Sequence, residues 1–140
     1  MPGLKELNSF NNGDKPDILA DTNVWIEFFK PHSEIGAKLE SLLLESNVWV
    51  CGIIIFELVQ GIKSEKERAS VQETLSGLRY AEMSKNLWIK AGNLSAALKR
   101  KGFTIPLSDI LISSIAMENG FAVFTLDNHF NLVPDLKIYK

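Results

Sequence analysis

Apolar residues alternate along this chain between two rhythms. Short aliphatic or β-branched runs, "DILAD" (17–21), "NVWVCG" (47–52), "LRYAEM" (78–83), "FAVFT" (121–125) and "LKIY" (136–139), read as strands. Between them, apolar residues recur every three or four positions, the mark of helices. After Asp21 or Thr22 as N-cap, a helix carries Val24, Trp25, Phe28 and Phe29 until Pro31 stops it. Ser33 to Glu45 forms a second, with Ile35, Leu39, Leu42 and Leu43 on one face. Ile53 to Lys63 is apolar nearly all round, which predicts a buried helix. Ser64 to Ser76 is charged and ends at Gly77. Ser84 caps a helix to Lys101 that turns Leu87, Trp88, Ala91, Leu94 and Leu98 inward. Pro106 opens another to Asn119, closed by Gly120, and "DNHF" starts a short helical turn. Strands alternating with helices in this order predict an α/β sandwich around a mostly parallel sheet.

Composition narrows the class. A chain of 140 residues with 46% apolar content makes one core, so residues 17–140 are expected as a single domain. Residues 1–16, "MPGLKELNSFNNGDKP", are polar and read as a flexible N-terminal extension without a secretory apolar core. A net charge of −2 gives no support to a strongly basic nucleic-acid coat, although a local basic groove fits within it. The single cysteine, Cys51, has no internal partner, and a reducing cytoplasm is the expected compartment. No stretch approaches the roughly 20 apolar residues of a membrane helix.

The candidate chemistry lies in four acids. Ligands of parallel sheets bind at the carboxyl ends of the strands. Asp21 ends the first strand and Asp127 follows the fourth. Glu57 sits inside "IIIFELVQG", where a lone buried carboxylate is disfavoured unless it is paired or holds a metal. Gly61, one turn later, leaves open space on the same face. Asp109 lies in the first turn of "PLSDILISSIA", with Ser113 one turn further on, on the side facing it. Each acid has an ordinary explanation: an N-cap for Asp21, a first-turn dipole partner for Asp109, a turn opener for Asp127, an internal salt bridge for Glu57. Jointly, four carboxylates converging on one mouth repel and protonate unless a divalent cation joins them. An all-oxygen set favours Mg²⁺ or Mn²⁺, ions that orient phosphodiesters and activate water. His32 and His129 are too few and too ill-spaced for a zinc site.

With these residues in view, "LADTNVWI", "FELVQG", "LSDILISSIA" and "FTLDNHF" resemble the successive acidic motifs of PIN-domain ribonucleases. The small size is most similar to VapC-type toxins of toxin–antitoxin modules. The resemblance implies a PIN-like fold, a central parallel sheet of about five strands sandwiched by helices. It implies an endoribonuclease dependent on Mg²⁺ or Mn²⁺ that leaves a 3′-hydroxyl and a 5′-phosphate. It assigns the metal-binding and catalytic roles to Asp21, Glu57, Asp109 and Asp127, with Thr125 as a hydroxyl partner and Asn23 as a small polar support. It implies a homodimer, and a small antitoxin whose C-terminal segment lies along the toxin groove. Operator DNA is contacted only through that antitoxin.

Other readings of the residues are weaker. A dehalogenase-type phosphatase needs a second Asp where Asn23 stands, and a receiver domain needs paired early acids and a late Lys that are not well placed here. A PIN-fold module that binds RNA or a partner without catalysis would be marked by a lost acid, and all four are present. Lys63, Lys66 and Arg68 are positioned to touch RNA, but they and Lys99, Arg100 and Lys101 read more simply as solvated faces. Trp25, Trp49 and Trp88 read as core or dimer packing, and Cys51 as a small core residue.

Overall fold

The protein is described by a computed structural model that covers residues 16–140; the expected N-terminal extension, Pro16 apart, lies outside the described residues. Strand β1 (Asp17–Ala20) leads into α1 (Thr22–Phe28) and α2 (Glu34–Glu45). Then come β2 (Asn47–Cys51), α3 (Gly52–Gln60), α4 (Glu65–Ser76) and β3 (Arg79–Ala81). The chain continues through α5 (Lys85–Arg100), α6 (Leu107–Asn119), β4 (Ala122–Phe124), a 3-10 turn (Asn128–Leu132) and β5 (Lys137–Ile138). The five strands lie in the order β3-β2-β1-β4-β5, and every pairing is parallel. This is the expected α/β sandwich.

The topology creates the place for a site. From β1 the chain winds outward to β2 and β3, then returns to the other side of β1 to lay down β4 and β5. The β1/β4 boundary is therefore the switch point, where adjoining connections diverge and leave a crevice at the strand ends. The peptide N–H of Asp21 donates to the Phe124 carbonyl at 2.8 Å, carrying the ladder one residue past β1 and fixing Asp21 at the rim.

Ile18, Leu19, Ala20 and Val123 are fully buried, as central parallel strands covered on both faces require. The main core gathers them with Trp25, Leu39, Ile54, Ile112 and Phe130, and a second apolar cluster around Ala91, Leu98, Ile110 and Val133 seats α5 against α6. Serine side chains at positions 33, 64 and 84 cap α2, α4 and α5. Gly120, in the left-handed region at φ 73°, ends α6. Helices α1 and α2 approach so closely that a Cβ on Gly36 would lie 2.6 Å from the Glu27 carbonyl oxygen.

Two sequence expectations are corrected. Helix α3 is not buried on all sides: Ile54 and Leu58 face the core, whereas Phe56 is 61% exposed. The helix lies in an outer layer, so its apolar excess reaches the surface. Trp88 does not turn inward on α5 but is 51% exposed, while its neighbour Leu87 takes the buried position. Trp25 is a core residue. Trp49, half-buried, stacks on Phe121 at 4.8 Å and donates its indole N–H to Asp17. Cys51 is buried, and desolvation pushes its thiol up to about 11, so it stays protonated as a small core residue.

Candidate functional site

Asp21 is built into the crevice by two side-chain bonds besides its backbone bond to Phe124. It is the N-cap of α1, and its Oδ1 accepts the Thr22 N–H at 2.7 Å. Its Oδ2 accepts the Thr125 hydroxyl at 2.8 Å from the end of β4. The capping explanation of Asp21 is thus correct and incomplete: one oxygen caps and the other faces across the switch point. Asn23, in the first turn of α1, reaches the same loop; its Oδ1 accepts the Leu126 N–H at 3.3 Å and its Nδ2 lies 3.5 Å from the Thr125 hydroxyl. That hydroxyl also accepts the Asp127 N–H at 3.0 Å. Thr125 therefore couples Asp21 to the backbone that presents Asp127.

Glu57 joins from α3. The Thr22 hydroxyl donates to its Oε1 at 2.7 Å, which brings the α3 acid beside the residue that follows Asp21. Among the described residues no lysine or arginine forms an ion pair with Glu57, and an internal salt bridge does not account for it. Asp109 enters from the first turn of α6, close enough to Asp21 and Asp127 to feel their charges. Asp127 lies at the start of the 3-10 turn, where its Oδ1 caps His129 N–H at 2.9 Å.

The electrostatics register the convergence. Burial raises the Asp21 carboxyl, with Thr125 and Thr22 opposing and the charges of Glu57 and Asp127 adding to the rise. Burial, then the charges of Asp21 and Asp127, push Asp109 up to about 6, with His129 opposing. Asp21 is 6% exposed and Asp109 8%, so these charges meet in a partly desolvated mouth where repulsion is strong. The structure thus brings all four sequence-identified acids to one place, with Thr125 and Asn23 bracing them.

The donor set fits a divalent cation. Asp109 is a buried carboxylate whose described polar contacts, Ser108 Oγ at 3.5 Å and His129 Nδ1 at 3.6 Å, are longer than the roughly 2.7–2.9 Å of a charge-assisted hydrogen bond. Ser113, on the next turn of α6, has a buried hydroxyl without a hydrogen-bond partner among the described residues. One ligand atom each from Asp109, Asp127 and His129 lie within 4.8 Å of one another.

Two contributors escaped the sequence reading. Asp21, not Thr22, is the N-cap of α1, and the Thr22 hydroxyl holds Glu57 instead. His129 was set aside for want of histidine partners; its neighbours are carboxylates instead, which the "DNH" triplet itself announces through Asp127. His32 adopts a left-handed conformation at φ 60° in the α1–α2 link and has no place in the acidic group.

Beside Glu57 runs a groove of about 560 Å³ whose walls include Ile26 and Phe29 of the α1 end, Leu58 and Gly61 of α3, and Val71 of α4. Lys30, Lys63 and Lys66 also line it, as do the acids Glu57 and Glu67. Arg68 is not in the lining and forms a surface contact with Glu65 at 3.6 Å. Lys99, Arg100 and Lys101 are exposed at the end of α5, a solvated cluster at the dipole's negative pole.

Fold and site together define a doubly wound α/β protein with a cation-ready acidic mouth at its switch point. Residues 18–136 match the PIN domain, and the chain belongs to the PIN-domain family. It is similar to the VapC ribonuclease Mb1587 of Mycobacterium bovis, 25% identical over an alignment of 121 residues that covers 83% of this chain and 90% of that protein. It is also similar to ribonuclease VapC2 of Rickettsia felis, 27% identical over an alignment of 124 residues that covers 84% of this chain and 92% of that protein. Among solved structures, DNA-bound VapBC from Salmonella typhimurium superposes with a TM-score of 0.76 at 26% identity, covering 89% of this chain and 97% of that one. VapBC2 from Rickettsia felis, bound to a promoter DNA fragment, superposes at 0.74 with 22% identity, covering 88% and 97%, a likeness of fold.

Proposed function

We propose that this chain is the endoribonuclease toxin of a toxin–antitoxin pair and hydrolyses RNA phosphodiester bonds with a carboxylate-held Mg²⁺ or Mn²⁺. The observation that carries this reading is the meeting of Asp21, Glu57, Asp109 and Asp127 at one strand-end crevice, each delivered by a different element. Those four side chains would hold the ion, which when bound supplies charge for the phosphate and lowers the pKa of water. The chain's own work is positioning. Thr22 aligns Glu57, Thr125 aligns Asp21, and Asn23 fixes the 125–127 loop. Because these acids repel phosphate on their own, RNA affinity depends on the ion, helped by Lys63 and Lys66 along the adjoining groove.

That groove is also where an antitoxin segment would lie. Its apolar lining suits a peptide that buries aliphatic or aromatic side chains, and its mixed lysines and glutamates suit one that also carries charged groups. The toxin would act in the cytoplasm as a homodimer and contact operator DNA only through the antitoxin. Among the described residues no helix is long and apolar enough to cross a membrane.

The test is cleavage of RNA by the purified chain with Mg²⁺ or Mn²⁺, with and without EDTA, for wild type and Asp21→Asn. Cleavage that needs the ion and is lost in the variant is expected. Cleavage indifferent to both would overturn the mechanism.

A further inference from the structure

One nitrogen stands among the oxygens of the acidic mouth. His129 Nδ1 lies 3.1 Å from Asp127 Oδ1 and 3.6 Å from Asp109 Oδ2. An octahedral cation with ligands at roughly 2.1 Å holds adjacent ligand atoms about 3 Å apart and opposite ones about 4.2 Å apart. The three atoms, all within 4.8 Å of one another, need only small adjustments to share one ion.

A separate observation indicates that something is to be received there. Asp109 is buried, and its described contacts are both long. Ser113 Oγ, wholly buried, has no hydrogen-bond partner among the described residues, and its Cα–Cβ bond tilts towards the turn of α6 that carries Asp109. A buried polar group without a partner calls for an explanation, and an ion at the acidic mouth would supply one for Asp109 and Ser113. The imidazole is held at the mouth: the His129 backbone N–H donates to Asp127 Oδ1 at 2.9 Å, and its Nδ1 lies 3.1 Å from the same oxygen.

We propose that His129 is a metal ligand beside Asp109 and Asp127, and that it makes this position prefer Mn²⁺ to Mg²⁺. The inference rests on the metal-dependent reading above. Both ions suit carboxylate and water oxygens, but Mn²⁺, a d-block ion, accepts an imidazole nitrogen more readily than the harder Mg²⁺, which dehydrates reluctantly. The competing account is an ordinary ion pair in which a protonated His129 merely ties the two aspartates together.

Mn²⁺ bound to the full chain gives a direct readout. Electron spin-echo spectra of wild type, His129→Gln and His129→Ala are to be compared, alongside calorimetric affinities for Mn²⁺ and Mg²⁺ and circular dichroism of each variant. The expected result is nitrogen coupling to Mn²⁺ in wild type that disappears in both variants. Mn²⁺ affinity should fall by about tenfold or more, and Mg²⁺ affinity by less than about threefold. Wild-type Mn²⁺ without nitrogen coupling, or Mn²⁺ and Mg²⁺ affinities falling in parallel, would overturn the assignment and leave the ion pair. Wild type that binds neither ion would sink the metal-dependent reading itself, and this inference with it.

Discussion

The Thr22 hydroxyl donates to Glu57 Oε1 at 2.7 Å, and the Thr22 peptide N–H donates to Asp21 Oδ1 at 2.7 Å. One residue at the start of α1 therefore holds an acid from β1 with its backbone and an acid from α3 with its side chain. This pairing joins positions 35 residues apart and aligns a carboxylate that has no basic partner among the described residues. Thr22→Val keeps the branched shape and removes the donor. RNA cleavage should fall about ten- to a hundredfold, in line with the ~1.5–3 kcal/mol of a hydrogen bond to a charged group. Thr22→Ser should restore most of it. Cleavage kinetics with melting curves decide: a folded Val variant of undiminished activity would remove Thr22 from the site.

Asp21 illustrates a conflict between stability and function. It is buried, and Glu57 and Asp127 raise its carboxyl further, so the metal-free mouth stores like-charge repulsion. Asp21→Asn keeps an oxygen for the Thr22 N–H and deletes one charge. The metal-free variant should unfold at an equal or higher urea concentration than wild type while losing cleavage. A large loss of metal-free stability would instead show that the Thr125 and Thr22 bonds outweigh the repulsion.

The sequence made the fold legible because each signal was local. The β-branched runs, the serine N-caps at 33, 64 and 84, and Gly120 after α6 each act within a few residues. Among the acids only Glu57, a carboxylate in mid-helix, lacked a local explanation; Asp21, Asp109 and Asp127 each stand at a helix start, and it was their joint pattern that pointed to a site. What stayed hidden depends on distant partners. Thr22 meets Glu57, and His129 meets Asp109, only after the sheet has ordered the elements. The surface positions of Phe56 and Trp88 were hidden for a related reason. Hydrophobicity states that a side chain gains from burial, not that the fold supplies a neighbour to bury it.

Asp109 gives the site a pH signature. Its carboxyl titrates at about 6 in the folded chain against an ordinary 3.8, so the native state binds this proton more tightly than the unfolded chain. The resulting stabilisation is complete below about 3.8, declines as pH rises and is gone above about 6. Metal-free protein should therefore lose stability from this group between those values, while added Mn²⁺ or Mg²⁺ should stabilise more at pH 7.5 than at pH 5, where the proton competes with the ion. Urea unfolding of wild type and Asp109→Asn at both pH values isolates the group. An equal pH dependence in the two proteins would assign the effect to other residues.

Gly36 is the last position at which a small change should travel. A Cβ there would stand 2.6 Å from Glu27 O and 2.9 Å from Phe28 Cα, backbone atoms that no rotamer change can move aside. The joint is further tied by Ser33, which accepts the Gly36 N–H at 3.0 Å and donates to Glu27 Oε1 at 2.9 Å. Gly36→Ala therefore forces α2 away from α1, the helix whose first turn carries Thr22 and Asn23. The substitution should cost about 1–3 kcal/mol of stability, as overpacking does, and should also slow cleavage by loosening the Thr22–Glu57 alignment. Gly61→Ala is the matched control. It sits at an ordinary helical φ of −86°, and its added Cβ would meet nothing nearer than 3.7 Å, so its stability should stay within about 0.5 kcal/mol of wild type. Urea unfolding of both variants checks the contrast, and a Gly36→Ala protein as stable as Gly61→Ala would show that the α1–α2 joint yields.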